Sequence, residues 1–418
     1  MQPKLIPLVE GNPFTPDRPV QPKYFAGRQK EIKRLLETII EVSQGRSRFV
    51  LIGGERGIGK TSLALFAKYL TEYENSLIPS DSKVLSVYCT LGACGSISHV
   101  CTTIIQEILR NIKQRSTFDR VTNFLKKHIS QIEIGAYGVA SVKFNLDERQ
   151  LQEMPQDFYP ILFDIWEGLS EEYNGLIIIT DEIDKVANFP EFAPLLKSLS
   201  DSIAANLANP LPLLLMVCAI PDTEDSLVKH HESLPRLFRR VELSLMTEEE
   251  CREFVSETIK GTGITINKDA LDSIVFWSTG FPSLLQEMCY SVWEANDDNQ
   301  IDDDDVVNGL IEAIEELERK YFRRRFLQQV GSNTYREILD IMASNDDDVI
   351  QYKWICEKLK KSKSKCKNPG SYLGNMVSRG IIRKVRAGRR GEYQFSDRMF
   401  KLYIRLLEFR KSGSRTLR

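Results

Sequence analysis

The stretch Arg48–Tyr69, RFVLIGGERGIGKTSLALFAKY, decides the class of fold. Its first residues, Arg48–Ile52, form a short apolar run with β-branched side chains, which predicts a buried strand. Several glycines follow between positions 53 and 59, and glycine permits backbone angles that other residues avoid. A helix is predicted to begin at Lys60. The stretch therefore predicts a strand, a tight turn and a helix in that order.

The turn carries the spacing G-x-x-x-x-G-K-T, from Gly54 to Thr61. Between a strand and a helix, this spacing is typical of a loop whose backbone N–H groups converge on phosphate oxygens at a helix N-terminus. Lys60 is expected to contact the β- and γ-phosphates of ATP, and the Thr61 hydroxyl to hold Mg²⁺. The alternative is a plain glycine-rich turn, against which the flanking strand and helix argue. The predicted ATP-binding residues of the loop are Gly54, Gly57, Ile58, Gly59, Lys60, Thr61 and Ser62.

A second decisive stretch, GLIIITDEID, runs from Gly175 to Asp184. Its unbroken apolar run predicts a parallel strand that is buried on both faces. Acids at the end of such a strand lie where α/β sheets bind their ligands. Asp181 is therefore predicted to hold Mg²⁺ through water and Glu182 to polarise the attacking water. Acids that merely form a turn or helix cap are the alternative, and Asp184 is better explained that way.

Composition describes an ordinary globular chain with an uneven charge distribution. A length of 418 residues predicts two or three domains, and an apolar fraction of 42% with a charged fraction of 27% is typical of globular proteins. The net charge is −2, yet residues 351–418 contain 20 Lys and Arg against four acids, so that this tail is +16 and the rest is −18. This asymmetry predicts a contact with DNA or another acidic surface through residues 351–418.

The eight cysteines are scattered and include no C-x-x-C pair, which argues against a zinc site and favours reduced thiols. The proline-rich start, residues 1–23, lacks the apolar core of a signal peptide. Leu211–Ile220 is the longest apolar run and is too short to span a bilayer. We therefore expect a cytoplasmic protein without a membrane partner.

Two shorter segments resemble parts of P-loop ATPases. The F-x-G-R-x-x-E sequence from Phe25 to Glu31 resembles the segment that lies beside the adenine in AAA+ and STAND ATPases, which implies a base contact for Phe25. A simple helix start at a glycine is the alternative. Gly280-Phe281-Pro282 resembles the G-x-P of STAND proteins, which implies that Pro282 faces the base, although proline is also favoured in a first helical turn. Initiator-type AAA+ proteins carry an arginine in the following helix, and residues 283–295 contain none.

The same resemblance implies two further functional elements. After the apolar run that ends at Ala219, a polar residue would sense the γ-phosphate, with Asp222 and Thr223 as candidates; an ordinary polar loop is the alternative. An arginine finger acting across a subunit interface would lie just before a short strand at Val241–Leu245, with Arg239 and Arg240 ahead of Arg236. A solvated basic loop would have the same appearance.

The order of segments predicts an α/β fold, in which a P-loop NTPase parallel sheet of the additional-strand class precedes a helical lid and a winged helix-turn-helix. The predicted domains are an N-terminal arm and ATPase core at 1–246, a lid at 247–326 and a winged-helix domain at 327–418. Thr247 and Glu250 match the T-x-x-E capping box of a helix that starts the lid. The alternating segment at 132–146 is predicted to be a small hairpin or insertion without a legible role.

The last domain is predicted from three helices and a hairpin. The helices are expected at Asn333–Ser344, Gln351–Lys360 and Lys367–Arg379, and the strands at Ile381–Arg386 and Glu392–Phe395. This is the order of a winged helix, whose third helix enters the major groove of DNA while its wing contacts phosphates. Contact with protein is the alternative role of such a module. The candidate DNA contacts are Lys361, Lys363, Lys365, Lys367, Arg389 and Arg390.

Taken over residues 12–400, the chain resembles STAND and AAA+ ATPases, including archaeal ATPase-type and origin-recognition-like members. The resemblance implies an ATP- and Mg²⁺-dependent ATPase that acts as a conformational switch coupled to DNA. The alternative is a nucleotide-gated, homo-oligomeric scaffold in a defence or signalling complex, with the winged helix bound to protein. A metabolic kinase is a weaker possibility, because it would not need the C-terminal domain.

Overall fold

The structure is a computed structural model in which the chain divides into two compact units. It describes residues 11–73, 82–112, 114–126, 132–134, 142–144, 148–206, 208–320, 322, 332–362, 364–385 and 391–412. One unit comprises Asp17–Glu257 with Phe281–Ser283, and the other comprises the residues up to Pro16, Thr258–Gly280 and the chain from Leu284 onward. In the part of the chain that is described, no helix combines the length and the apolar character needed to cross a membrane.

The first unit is built on a parallel sheet of five strands. Among the described residues, the strands of this unit are β1 (Arg48–Gly53), β2 (Val84–Thr90), β3 (Ile132–Ile134), β4 (Val142–Phe144), β5 (Gly175–Asp181), β6 (Leu213–Ala219) and β7 (Phe238–Glu242). The sheet order is β2-β5-β6-β1-β7, and β3 and β4 form a separate antiparallel hairpin, as predicted for the segment at 132–146. Since β6 lies between β1 and β5, the structure has the additional strand that the sequence predicted.

Nine helices of the described residues accompany this sheet, and the last of them, α9, runs two residues beyond Glu257. They are α1 (Gln29–Ser43), α2 (Lys60–Tyr73), α3 (Ile97–Asn111), α4 (Arg115–Leu125), α5 (Glu148–Glu153), α6 (Phe158–Leu169), α7 (Phe192–Ala205), α8 (Pro221–His230) and α9 (Glu248–Ile259). The alternative of an ordinary polar loop at 220–223 does not hold, because Pro221 starts α8. Proline suits this position because its missing N–H would have no helical partner there.

The core of the first unit lies at the middle of the sheet. Every residue of β5 and of β6 is buried, whereas β7, at one edge, alternates between buried and exposed residues. Central parallel strands are covered on both faces, so each of their side chains must be apolar or hydrogen-bonded. The unbroken apolar runs of β5 and β6 in the sequence reflect this central position. Because β1, β6 and β5 pair in parallel, their carboxyl ends lie at one edge of the sheet.

The second unit begins with a group of helices and one short pair of strands. Its elements are β8 (Thr265–Ile266), α10 (Lys268–Ser278), α11 (Pro282–Ala295), β9 (Gln300–Ile301) and α12 (Asp303–Leu317). The acidic residues 302–305 start helix α12, because Asp302 and Asp305 form a capping box there. From the N-terminal arm, Phe14 is buried and packs edge-on against Trp293 of α11.

The C-terminal part consists of four helices and a three-stranded antiparallel sheet. These elements are α13 (Asn333–Ala343), β10 (Ile350–Gln351), α14 (Tyr352–Lys361), α15 (Pro369–Ser378), β11 (Ile382–Lys384), β12 (Glu392–Phe395) and α16 (Arg398–Ser412). The three predicted helices and both predicted strands are present with shorter bounds. Neither β10 nor α16 was predicted, and the candidate contacts Lys363, Arg389 and Arg390 lie outside the described residues.

Helix α16 uses several basic side chains within the unit. Lys401 is buried and donates to the carbonyl of Asp347 at 2.8 Å. Arg398 pairs with Asp348 at 3.1 Å, and Arg405 pairs with Asp346 at 2.8 Å. The acidic run at 346–348 therefore neutralises three of the charges that made the tail basic. The exposed lysines among the described residues of the tail lie on α14, on the turn before α15 and on β11.

Candidate nucleotide-binding site

The glycine-rich turn joins β1 to α2 as predicted. Gly57 and Gly59 have φ values of +81° and +100°, which side chains with a Cβ atom rarely adopt. A Cβ on Gly59 would meet no atom within 4 Å, so this part of the loop surface is open. The buried Ile58 side chain anchors the loop to the core. The turn is thus a cradle of backbone groups at the N-terminus of α2, where anions are favoured.

Lys60 is folded back over the loop that precedes it. Its ammonium group donates to the carbonyls of Gly54 and Glu55, both at 2.8 Å. Burial lowers the pKa of Lys60, while the negative charges of Asp181 and Asp184 oppose that effect. The two backbone carbonyls therefore hold the positive charge of Lys60 next to the glycine-rich turn. Phosphate oxygens can replace these carbonyls as hydrogen-bond acceptors.

Asp181, at the end of β5, lies directly beside α2. Its Oδ2 accepts hydrogen bonds from Thr61 Oγ1 at 2.6 Å and from the Tyr88 hydroxyl at 2.8 Å. Its Oδ1 accepts from the backbone N–H of Glu182 at 2.8 Å. The two residues predicted to hold Mg²⁺ are thus in direct contact although 120 positions separate them. A hydroxyl and a carboxylate are the hard oxygen donors that Mg²⁺ prefers.

Glu182 is exposed and has a left-handed backbone with a φ of +55°. A Cβ on Gly92 would lie 2.6 Å from Glu182 Oε2, so the carboxylate lies against the chain just after β2. A non-glycine residue held in this conformation costs on the order of 1–3 kcal/mol, and such residues concentrate at functional sites.

Asp184 and Thr223 form a second polar pair at the same edge of the sheet. Thr223 is buried and donates to Asp184 Oδ1 at 2.7 Å, and Arg56 of the glycine-rich turn lies 3.8 Å from Asp184 Oδ2. Asp222, the other candidate phosphate sensor, is exposed on α8. Of the two candidate phosphate sensors, Thr223 is therefore the one connected to the glycine-rich turn, because Asp184 contacts both Thr223 and Arg56.

Arg239 and Arg240 lie within β7, so their predicted place before a strand at Val241–Leu245 was wrong. Arg239 is 3.4 Å from Glu41, and Arg240 pairs with Glu224. Both side chains remain more than half exposed on the edge strand. The shift in strand bounds arises because Phe238 is buried and pairs with Phe49 of β1, which extends the strand toward the N-terminus.

The segment before α1 also reaches this site. Phe25, predicted to contact the base, stacks on Phe66 of α2 with ring centroids 4.4 Å apart, so one of its faces is occupied. Ser62, the last predicted loop residue, accepts a hydrogen bond from the Val20 N–H at 3.3 Å through its hydroxyl. These contacts place the segment against the helix that follows the cradle.

Arg28 is a site residue that sequence reasoning missed. Its guanidinium is buried and donates to the carbonyl of Ile58 at 3.2 Å, and its backbone N–H donates to Glu250 at 2.7 Å. Burial lowers the pKa of Arg28, an effect that Glu250 and Glu31 oppose. The available signal was an arginine beside a glycine just upstream of the P-loop, but its target, a loop carbonyl, is visible only in the folded chain.

The predicted Gly280-Phe281-Pro282 segment approaches the glycine-rich turn. Pro282 is the first residue of α11, and the next residue, Ser283, donates its N–H to the Gly57 carbonyl at 3.2 Å. A Cβ on Gly57 would lie 2.5 Å from Ser283 Oγ and 3.1 Å from the ring of Phe281. Pro282 is therefore adjacent in sequence to a residue that contacts the turn, and its contact with a base stays a prediction.

The fold and the site together define an α/β P-loop nucleotide-binding protein. Residues 24–216, somewhat under half of the chain, match the family model of the AAA ATPase domain. No curated protein matches the sequence.

Two solved structures share the fold. The Walker-type ATPase PABY2304 of Pyrococcus abyssi aligns with a TM-score of 0.51 and 16% identity, over 92% of this chain and 96% of that one. The ORC2 protein of Aeropyrum pernix in its ADP form aligns with a TM-score of 0.50 and 14% identity, over 92% of this chain and 93% of that one. At such low identities the similarity concerns the fold.

Proposed function

We propose that the protein is an ATP-binding, Mg²⁺-dependent ATPase that acts as a nucleotide-driven conformational switch coupled to DNA. The observation that carries the proposal is the 2.6 Å contact between Thr61 and Asp181 at the end of the glycine-rich turn. It joins a phosphate cradle to a carboxylate, which is the minimum needed to hold a metal–nucleotide complex. The AAA ATPase domain match over residues 24–216 supports the same activity.

Each site residue has a defined role in this proposal. Lys60 and the N–H groups of the turn bind the phosphates, replacing the carbonyl contacts that Lys60 makes at Gly54 and Glu55. Thr61 and Asp181 hold Mg²⁺, which neutralises charge on the phosphates when it is bound. Glu182 orients the attacking water, with Thr223 acting on the γ-phosphate through Asp184.

The C-terminal part supports the coupling to DNA. Its three helices α13–α15 and its antiparallel sheet follow the element order of a winged helix. Lys360, Lys361, Lys365 and Lys367 are exposed at the end of α14 and on the turn before α15. Lysines placed this way bind phosphates and supply affinity without sequence choice.

One observation favours the alternative of a nucleotide-gated scaffold whose winged helix binds protein. Helix α15, which would enter the DNA groove, contains no Lys or Arg between Pro369 and Ser378. In that proposal Arg239 and Arg240, exposed on edge strand β7, supply the finger to a second copy of the chain and leave their partners Glu41 and Glu224. The division at 246/247 and 326/327 and the STAND-type lid remain proposals in both cases.

The decisive experiment measures ATP turnover with and without double-stranded DNA at low and moderate salt. We expect turnover that rises with DNA, fades as salt increases, and disappears in Lys60→Ala and Glu182→Gln. Glu182→Gln should still bind ATP, because the cradle, Thr61 and Asp181 are intact. ATP turnover that does not change with DNA would favour the nucleotide-gated scaffold over the DNA-coupled switch. Wild-type protein that does not bind nucleotide would contradict both proposals.

A charge-removal pair tests the DNA surface separately. Lys360→Ala/Lys365→Ala should weaken DNA binding and lower the slope of log affinity against log salt by about two, one for each lost phosphate contact. The control Lys229→Ala/Lys268→Ala removes two exposed lysines from α8 and α10 and should leave the slope unchanged. Equal effects of the two pairs would contradict a DNA surface on α14.

A further inference from the structure

Tyr88 reaches the site from a strand that carries none of the predicted site residues. It lies on β2, opposite Ile179 of β5, and its hydroxyl donates to Asp181 Oδ2 at 2.8 Å. The same oxygen accepts from Thr61 Oγ1 at 2.6 Å, while Oδ1 accepts from the Glu182 N–H at 2.8 Å. Donors from α2, from β2 and from the backbone just after β5 therefore fix both oxygens of a single carboxylate.

The donors differ in what they can do when a metal is bound. The Thr61 hydroxyl is itself a proposed metal ligand, and the Glu182 N–H belongs to a backbone in a left-handed conformation. Tyr88 is neither a proposed metal ligand nor part of a left-handed backbone, and its half-buried ring lies on strand β2. A phenol is protonated at neutral pH, so the Tyr88 hydroxyl can donate to Asp181 Oδ2.

A second tyrosine of the same unit, Tyr173, also contacts a carboxylate but lies away from the phosphate cradle, so it serves as a comparison for Tyr88. Tyr173 lies beside the carboxylate of Glu172, but both residues precede β5, whereas Asp181 ends that strand. Burial and Glu172 raise the pKa of Tyr173 to about 12. The carboxylate of Glu172 binds Lys83 and Thr117 and has no place at the phosphate cradle.

We propose that Tyr88 is a positioning residue that orients the Asp181 carboxylate for Mg²⁺, and so sets how strongly Mg²⁺ tightens nucleotide binding. The proposal rests on the nucleotide site proposed above and assigns to it a residue from β2. Groups that hold a metal ligand in its orientation typically change metal affinity by about 10- to 100-fold when they are removed. The hydroxyl of Tyr88 therefore acts through Asp181 and not on the nucleotide.

The test is equilibrium binding of a fluorescent ADP analogue with Mg²⁺ and with EDTA. The ratio of the two dissociation constants gives the metal-dependent gain in affinity for each variant. We expect Tyr88→Phe to lower this gain by about 10-fold or more and to leave binding in EDTA unchanged. Tyr173→Phe, the matched control, should retain the wild-type gain.

A double-mutant cycle distinguishes positioning from a general loss of structure. If Tyr88 acts through Asp181, then Tyr88→Phe has no further effect on the gain in an Asp181→Asn background. Tyr88→Leu is a second variant that lacks the hydroxyl, and it must show the same loss of metal-dependent gain. It replaces Tyr88→Phe in the test if that variant does not fold.

The outcomes separate this proposal from the one on which it rests. A wild-type protein without any metal-dependent gain overturns the nucleotide–Mg²⁺ site itself. A normal wild-type gain that Tyr88→Phe leaves unchanged or increases overturns the role of Tyr88 alone. Equal weakening with Mg²⁺ and with EDTA also overturns it, because that pattern shows damage to the cradle and not to the metal ligand.

Discussion

Replacing Gly57 by Ala should disrupt the glycine-rich turn far more than the same change at Gly59. Both residues have positive φ values, +81° and +100°, so an added Cβ strains the backbone at either position. Only at Gly57 does the new atom meet a neighbour, at 2.5 Å from Ser283 Oγ and 3.1 Å from the ring of Phe281. Gly59→Ala therefore measures backbone strain alone, and Gly57→Ala measures strain together with the close contact.

The two contributions have different magnitudes. A left-handed backbone costs an alanine about 1–2 kcal/mol in both variants. Forcing a methyl group into a filled space adds roughly 1–3 kcal/mol in Gly57→Ala alone. For a unit of this size, 1 kcal/mol shifts the unfolding midpoint by about 2–4 °C, so Gly57→Ala should unfold at a temperature about 2–12 °C below that of Gly59→Ala.

Thermal unfolding of the nucleotide-free protein measures this difference without interference from ligand binding. Adding Ser283→Ala to Gly57→Ala removes the nearest atom, Ser283 Oγ, and should recover part of the lost stability, whereas Ser283→Ala added to Gly59→Ala should not. Equal midpoints for the two alanine variants would refute the reasoning, because they would show that Phe281 and Ser283 do not press on the turn.

Three further predictions concern other parts of the molecule. Iodoacetamide should modify the half-exposed Cys356 but not Cys218 in the native protein, because burial raises the pKa of the Cys218 thiol far above its usual value. Lys401→Met should destabilise the C-terminal part by about 1–3 kcal/mol in thermal unfolding, since it strands a carbonyl that the ammonium group now satisfies. Burial would raise the pKa of Glu172, yet bonds from Lys83 and Thr117 hold it below its usual value, so Thr117→Val should lower stability at neutral pH and have little effect once acid protonates Glu172.

Each of these predictions has a defined contradiction. Rapid labelling of Cys218 under native conditions would show that β6 opens more readily than its burial implies. A loss of DNA affinity in Lys401→Met, at unchanged stability, would contradict its internal role. A destabilisation by Thr117→Val that is equal at neutral and acidic pH would show that the hydroxyl packs without stabilising the charge of Glu172.

The sequence predicted the parts of the site that depend on local geometry. A P-loop is a contiguous turn, so the spacing from Gly54 to Thr61 was enough to place the cradle at the start of α2. The apolar runs of β5 and β6 predicted buried parallel strands, and the acids after Ile179 marked the sheet edge. These features persist in the folded protein because each depends on residues close together in the chain.

Element bounds and partners were less predictable. A polar loop at Pro221 remained an alternative in the sequence because the segment is polar, whereas the structure has a helix there, in which Thr223 donates to Asp184. Helix α16 was missed because its Lys and Arg residues suggested an exposed tail. In the structure the acidic loop at 346–348 neutralises them, and Phe400 and Tyr403 are buried.

By itself, then, the sequence determined a P-loop fold, its phosphate cradle and the acidic strand end, because short-range spacing and burial on both faces leave visible patterns. Only the tertiary structure decided which distant side chains complete the site. Tyr88 bonds to Asp181 across two strands that are separated by a long stretch of chain, and Arg28 bonds to the Ile58 carbonyl. Such contacts follow from strand order and chain path, and a hydroxyl or guanidinium gives no sign in the sequence of the carboxylate or carbonyl that it will meet.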